Sequence, residues 1–337
     1  NRRLVEVAES LLSMADYLGL TCAYLDTTEL GGASYLSHVG HATAAIAAGK
    51  CRVALITMGG NPRSARLASG PSLAGAPETS FETAWGITDT VHNYALAAMR
   101  HIYEFGTTSS DLAQIKVAAS QHAQHNPDAF LRDVVTVEQV LQSPLIADPL
   151  HRLDCCVMTD GGGAVVVASA DVAKALDRTE VAVLGHGEAH KGIGAGRIDL
   201  TSTAAVRSGA AAFAEAGVRP RDIDYASIYD SFTITVLLAL EDLGFCDKGD
   251  GGRFVRDGAL VAPFGALPTN TDGGGLCSNQ PDNRGGMVRM IEAVRQLRGQ
   301  AHRAVQVPGC DLALVHGSGG RLATRSSAAT VILGRLG

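Results

Sequence analysis

One layout occurs twice, far apart in the chain. The first copy runs TTELGGAS, an alanine-rich helical stretch, then CRVALITMGG at Cys51–Gly60. The second runs NTDGGGLCS at Asn270–Ser278, then MVRMIEAVRQLRG, then CDLALVHGSGG at Cys310–Gly320. Each copy is followed, at a different distance, by a hydrophobic strand led by glycine or serine: DGGGAVVVAS and RSSAATVILG. A repeated turn, helix and strand points to two similar α/β halves sharing one core, with chance likeness among glycine-rich loops as the competing explanation.

Short apolar runs alternate with amphipathic stretches throughout, which is the α/β pattern. Strands are expected at Cys22–Leu25, Arg52–Thr57, Ala164–Ala168, Val181–Leu184, Asp224–Tyr229, Asp311–Val315 and Ala329–Leu333. Helices are expected at Leu4–Leu18, Ser34–Ala48, Glu82–Tyr103, Thr203–Ala216, Phe232–Leu243 and Met287–Leu297. Thr201, Ser202 and Ser231 stand where helix caps are needed. The halves are drawn at 1–175, with a loop region at about 58–150, and at 176–337.

With 337 residues, 46% of them hydrophobic, the chain can bury a large core. A net charge of −6 without a basic patch argues against a nucleic-acid partner, and a 5% aromatic content removes stacking platforms for single strands. Seven cysteines, an odd number scattered through apolar runs, read as a reducing, cytoplasmic setting rather than a disulfide framework. No apolar run approaches the length of a membrane span. The chain starts at Asn1 rather than Met, so the native start is expected upstream.

Three stretches carry chemistry. Tyr229, Asp230, Ser231 and Phe232 sit at a strand-to-helix switch, where open α/β sheets place ligands; a tyrosine there moves a proton, or simply packs and caps a loop. His316 ends a buried-looking strand and opens into Gly317, Ser318, Gly319 and Gly320, whose backbone N–H groups can cradle an oxyanion. It is therefore the leading general acid/base candidate, against the commoner case of a structural histidine. The Asn270–Gly286 loop offers Asn279 and Gln280 as donors to a carbonyl, or serves only as a long turn.

Other signals are poor. His38/His41 and His122/His125 have helical spacing but no further ligand nearby, so no metal is expected. Gly192–Gly196 lacks the spacing of a dinucleotide fingerprint, and neither a P-loop nor a G-x-S-x-G elbow occurs. Arg63 and Arg66 are open to a phosphate or to solvent alone.

The ordered set AAIAAGK, LDCCVMTDGGGAVVV, YDSFT, LEDLGFC, GGGLCSNQP, IEAVRQLRG and HGSGG resembles the thiolase superfamily, in its sterol-carrier-protein-type, lipid-transfer-protein thiolase-like branch. The likeness covers nearly the whole chain, short of roughly 60 residues that usually precede the first helix. It implies a thiolase-like fold, two similar βαβαβ halves in α/β/α/β/α layers, and a homodimer.

The catalytic positions depart from a thiolase. Its nucleophilic cysteine falls at Gly32 without gaps, or at Glu29 if the glycine pairs are matched. The Asn of the Asn-Glu-Ala-Phe motif becomes Tyr229, the His of Gly-His-Pro becomes Gln280, and the second cysteine becomes His316. Without the nucleophile, ping-pong acyl transfer is closed. A pocket with donors around a thioester oxygen still suits enolate chemistry.

The steroid side-chain aldolases, which work with an OB-fold partner of the DUF35 type, look similar. They share the tyrosine of YDSFT but often carry Tyr-x-His-Pro where this chain has Ser278–Pro281. The leading expectation is retro-aldol cleavage of a β-hydroxyacyl-CoA, with a steroid side chain as the acyl group the resemblance implies and coenzyme A only as part of the substrate. Tyr229 would handle the hydroxyl proton, next to Asp230. His316 with Gln280 and the glycine loop would hold the enolate, and Asn279, Ser318 and Gly319 would contact the ester. A degenerate acyl-CoA- or lipid-binding scaffold for a DUF35 partner and a thiolase using another cysteine, such as Cys277, are the alternatives.

Overall fold

The computed structural model describes residues 11–66, 79–176, 178–192, 197–281, 285–322 and 325–336. Its longer helices are α1 (Ser34–Ala47), α2 (Thr90–Phe105), α3 (Ser109–Ala123), α4 (Ala205–Ala216), α5 (Thr233–Asp242) and α6 (Gly285–Leu297). The strands are β1 (Val53–Gly60), β2 (Leu145–Ala147), β3 (Leu150–His151), β4 (Gly161–Ala168), β5 (Glu180–Lys191), β6 (Tyr225–Ile228), β7 (Leu312–Gly320) and β8 (Ser326–Leu336).

The repeat read from the sequence is a repeat in space. In the first half α1 leads into β1, which pairs antiparallel with β4 and ends glycine to glycine, Gly60 opposite Gly161. In the second, α6 leads to β7, which pairs antiparallel with β8 and ends with Gly320 opposite Ser326. β5 and β6 extend this second pair to a four-stranded sheet in the order β5-β8-β7-β6, with β6 and β7 parallel.

Helices α1 and α6 touch each other and both sheets, so they form the middle of the molecule. Their apolar faces follow helical spacing: Leu36 and Val39 on α1, and Met287, Met290, Ala293 and Leu297 on α6, are all buried in one cluster with Val315, Ala329 and Val331. Each large side chain enclosed this way contributes about 1.5–3 kcal/mol. Helix α4 covers the outer face of β5 and β8.

Two expected elements differ. The helix expected over Glu82–Tyr103 is two helices, Thr79–Ala84 and α2, because Gly86 takes a left-handed φ of 79° and Asp89 caps a fresh start through the Thr90 and His92 amides. Cys22–Leu25 is not a strand; the segment is largely exposed and pairs with no strand among the described residues. Of the first expected helix, 11–17 are helical and the rest up to residue 10 lies outside the described residues, as do 193–196 of the Gly192–Gly196 run. No helix among the described residues is long and apolar enough to cross a membrane.

Candidate active site

The site is built at the ends of β6 and β7. Strand β6 has β7 on one side; on the other, a single parallel bridge joins Ala226 to Thr269, and the Asn270 side chain carries the pairing on to Ile228. Its amide N donates to the Ile228 carbonyl and its amide O accepts from the Ile228 N–H, both at 2.8 Å. The next residue, Tyr229, donates its backbone N–H to the His316 carbonyl at 2.9 Å. The strand end is thereby fixed from both sides before any side chain acts.

Tyr229 is 5% exposed, and its ring lies against the backbone of Gly32 at the start of α1. A Cβ at position 32 would stand 2.3 Å from the tyrosine ring and 2.5 Å from the Ser318 carbonyl oxygen. No side chain fits there while Tyr229 keeps its place. Glu29, the other position that sequence alignment leaves open for a nucleophile, is exposed and accepts from the Gly31 N–H at 3.1 Å. The structure thus sets Gly32 against the tyrosine and leaves Glu29 at the surface.

Gln280 completes the pair by donating from its amide nitrogen to the Tyr229 hydroxyl. It is itself pinned by Thr159: the Gln280 N–H donates to the Thr159 hydroxyl at 3.0 Å, and the Thr159 N–H donates to the Gln280 carbonyl at 3.2 Å. An amide N–H aimed at a phenol oxygen favours its anionic form.

Asp230 does different work from Tyr229. Its carboxylate accepts from the Gly275 N–H at 2.7 Å and the Leu276 N–H at 3.1 Å, and so holds the Gly274–Ser278 turn that leads to Gln280. Gly274, at φ 64°, passes so close that a Cβ would lie 2.0 Å from an Asp230 oxygen. Burial raises the Asp230 pKa, opposed by the nearby Arg289 guanidinium and these two amides. The carboxylate holds the scaffold and makes no hydrogen bond to the Tyr229 side chain.

His316 stands beside Tyr229 in sequence register but not in space. It pairs with Ile228 across the parallel β6–β7 ladder, so alternation sends its ring to the face opposite that of Tyr229. There its Nδ1 meets the Thr330 hydroxyl at 3.0 Å, which in turn meets Ser208 of α4 at 2.9 Å. Burial alone lowers its pKa to about 4, which keeps the ring neutral. The structure makes no hydrogen bond between His316 and the side chains of Tyr229 or Gln280.

The remaining candidates line the edges. Ser318 and Gly319 pack on the Leu30–Gly32 backbone, and the Ser318 hydroxyl is buried with no partner among the described residues. Asn279 lies against Gly161, its side-chain oxygen buried and likewise without a partner there. Ser278, where the aldolases' second tyrosine is expected, accepts from the Asn126 amide at 3.1 Å.

Cys277 is 1% exposed, and burial raises its thiol pKa against the lowering effect of the adjacent Lys116. Arg63 stacks on Phe130 at 4.2 Å and donates to the Met158 carbonyl. No cluster of three metal-ligating side chains occurs among the described residues.

Residues 185–335 match the family model described as thiolase C-terminal domain-like. The chain is 39% identical to an acetyl-CoA acetyltransferase of Methanothermobacter thermautotrophicus over 79% of its length and 68% of the relative's. It is 32% identical to a steroid side-chain-cleaving aldolase of Thermomonospora curvata over 91% of its length and 85% of the relative's. The chain belongs to the thiolase superfamily.

Among solved structures, the Ltp2-ChsH2(DUF35) aldolase superposes with a TM-score of 0.80 at 32% identity, covering 90% of this chain and 78% of that one. The thiolase-like fold expected from the sequence is therefore the fold observed. Two contributors escaped the sequence reading: Asn270, which holds the end of β6, and Thr159, which pins Gln280.

Proposed function

We propose that this chain is a carbon–carbon lyase that cleaves a β-hydroxyacyl-CoA by a retro-aldol reaction. The observation that carries the proposal is the Tyr229 ring lying where any side chain at Gly32 would stand, with Gln280 on its hydroxyl. The fold keeps a thioester site but has a phenol in place of a thiol. A phenol held this way transfers protons and does not form an acyl-enzyme.

In the proposed step the Tyr229 oxygen takes the proton of the substrate β-hydroxyl. The Cα–Cβ bond breaks, its electron pair becoming the thioester enolate and the β-carbon becoming a ketone or aldehyde. The enolate then takes a proton at Cα from the Tyr229 hydroxyl just formed, giving a shortened acyl-CoA and restoring the phenolate, so atoms and charge balance with no resident cofactor. Gln280 stabilises the phenolate. His316 serves through its carbonyl, which fixes the Tyr229 N–H.

The likeness to a steroid side-chain-cleaving aldolase supports a steroid acyl group, and the likeness to an aldolase solved with a DUF35 protein supports a DUF35-type OB-fold partner. We further place the enzyme in the cytoplasm as a homodimer. Incubation with a branched β-hydroxyacyl-CoA, with and without such a partner, tests the reading. Release of the ketone or aldehyde with the shortened acyl-CoA supports it; recovery of intact substrate under both conditions overturns it.

A further inference from the structure

Helix α3 carries Lys116 at 1% exposure, with no carboxylate paired to its ammonium among the described residues. A charge taken that far from water needs hydrogen-bond acceptors around it. Its Nζ donates to the Leu276 carbonyl at 2.7 Å and to the Cys277 sulfur at 3.1 Å. The Leu276 N–H is at the same time held by Asp230 at 3.1 Å.

The Leu276 residue is therefore clamped at both ends of its backbone, the N–H by a buried carboxylate and the C=O by a buried ammonium. The clamped turn runs four residues on to Gln280, whose amide holds the Tyr229 hydroxyl, and Tyr229 is the chain neighbour of Asp230. Tyr229, Asp230, the turn and Gln280 form a closed circuit that Lys116 braces from outside.

We propose that Lys116 is a positioning residue for the Tyr229–Gln280 pair: its ammonium sets the Gly274–Ser278 turn at the height that brings the Gln280 amide onto the tyrosine hydroxyl. It touches neither member of the pair, so it acts on the rate of the chemical step and not on substrate capture. An apolar side chain of the same length would leave the Leu276 carbonyl buried without its donor and let the turn relax. This rests on the lyase reading for its kinetic arm and on the geometry alone for its second arm.

The test uses the full chain, with its OB-fold partner if turnover requires one, and the substitutions Lys116→Met, Lys116→Gln and Cys277→Ala. With a branched β-hydroxyacyl-CoA, Lys116→Met is expected to lower kcat about tenfold or more with KM within about twofold. In a Gln280→Leu background the same change is expected to cost little further, because both act through one contact.

Amide hydrogen exchange across residues 274–280 is expected to quicken in Lys116→Met, and less in Lys116→Gln, whose amide can still donate to Leu276. Cys277→Ala, which keeps the carbonyl bond, is expected to stay within about threefold of the parent kcat. Parent kcat in Lys116→Met, a full additive loss in the Gln280→Leu background, or unchanged exchange over 274–280 overturns the proposal. If the parent chain shows no lyase activity, the lyase reading fails and the exchange comparison alone decides. Lys116→Gln carries the test should Lys116→Met not fold.

Discussion

Tyr229 follows the end of β6 and His316 lies midway along the neighbouring β7, which runs on through the glycines to Gly320, yet their side chains leave opposite faces of the sheet. The tyrosine turns inward to the start of α1, meets bare glycine backbone and receives the Gln280 amide. The histidine turns toward α4, meets two hydroxyls in series and stays neutral. One strand end is furnished to move a proton, and its neighbour to hold the sheet together. The difference teaches that a strand end rich in chemical groups is not yet a site; the parity of each residue along its strand decides which side its group serves.

The largest expected effect tests the reactive face. Replacing Tyr229 by Phe removes one oxygen while the ring still fills the space over Gly32, so fold and CoA-ester binding should persist. Loss of a general acid/base group of this kind costs roughly 10²–10⁴-fold, and kcat/KM for the β-hydroxyacyl-CoA should fall within that range. His316→Gln should lower it by less than about threefold. If the two variants lose activity equally, the faces are not functionally distinct and the comparison breaks.

The second expectation concerns the structural face and has a definite sign in pH. His316 and His122 both have pKa values lowered by burial to about 4, against 6.5 when unfolded. The unfolded chain therefore binds protons at these sites where the folded chain does not, and stability rises with pH across that window. Their contribution is complete above about pH 6.5 and is lost as the pH falls toward about 4, at most ~3 kcal/mol for each group. Denaturant melts from pH 7.5 to 4.5 should show a shallower decline in His316→Gln than in the parent. An unchanged slope would mean that His316 already titrates normally in the folded chain.

Much of this arrangement was open to reading in the sequence. β1, β4 and the strands β5 to β8 lie where apolar runs place them, and the doubled turn–helix–strand layout is the doubled fold. Gly32 and Tyr229 were both visible as departures from the thiolase pattern, but only the structure shows them to be one feature, a tyrosine ring packed against bare glycine backbone.

What stayed hidden has physical reasons. Whether His316 or Gly317 faces α1 depends on hydrogen-bond register with a strand far away in sequence, and Val315 to Gly319 alternates nothing that would reveal it. Asn270 imitates a strand neighbour with side-chain atoms, which no propensity records. The split between Thr79–Ala84 and α2 was signalled by Gly86 and Asp89, but the apolar spacing on either side continues well enough to mask it.

Gln280 offers the third test, and it sharpens the reactive side. Gln280→Leu keeps most of the volume while removing the N–H on the tyrosine oxygen, so the phenolate loses one donor in a buried setting. A hydrogen bond to a charged group is worth about 1.5–3 kcal/mol, so kcat should fall roughly 10- to 150-fold. The alkaline shift of the kcat–pH profile should accompany it, because a less stabilised phenolate forms at higher pH. A fall in kcat with an unmoved profile would assign Gln280 to the substrate instead.

The smallest effect probes the far side of the same sheet. Thr330 links the His316 ring to Ser208 of α4, with contacts of 3.0 and 2.9 Å. Thr330→Val is close to isosteric and leaves two buried polar groups without their shared partner, a cost of about 1–3 kcal/mol in unfolding free energy. Because this face holds structure and not chemistry, kcat should remain within about twofold of the parent once the protein is folded. The pairing of a real stability loss with retained turnover separates the two faces; a turnover loss as deep as that of Gln280→Leu would place His316 back among the groups that act on the substrate.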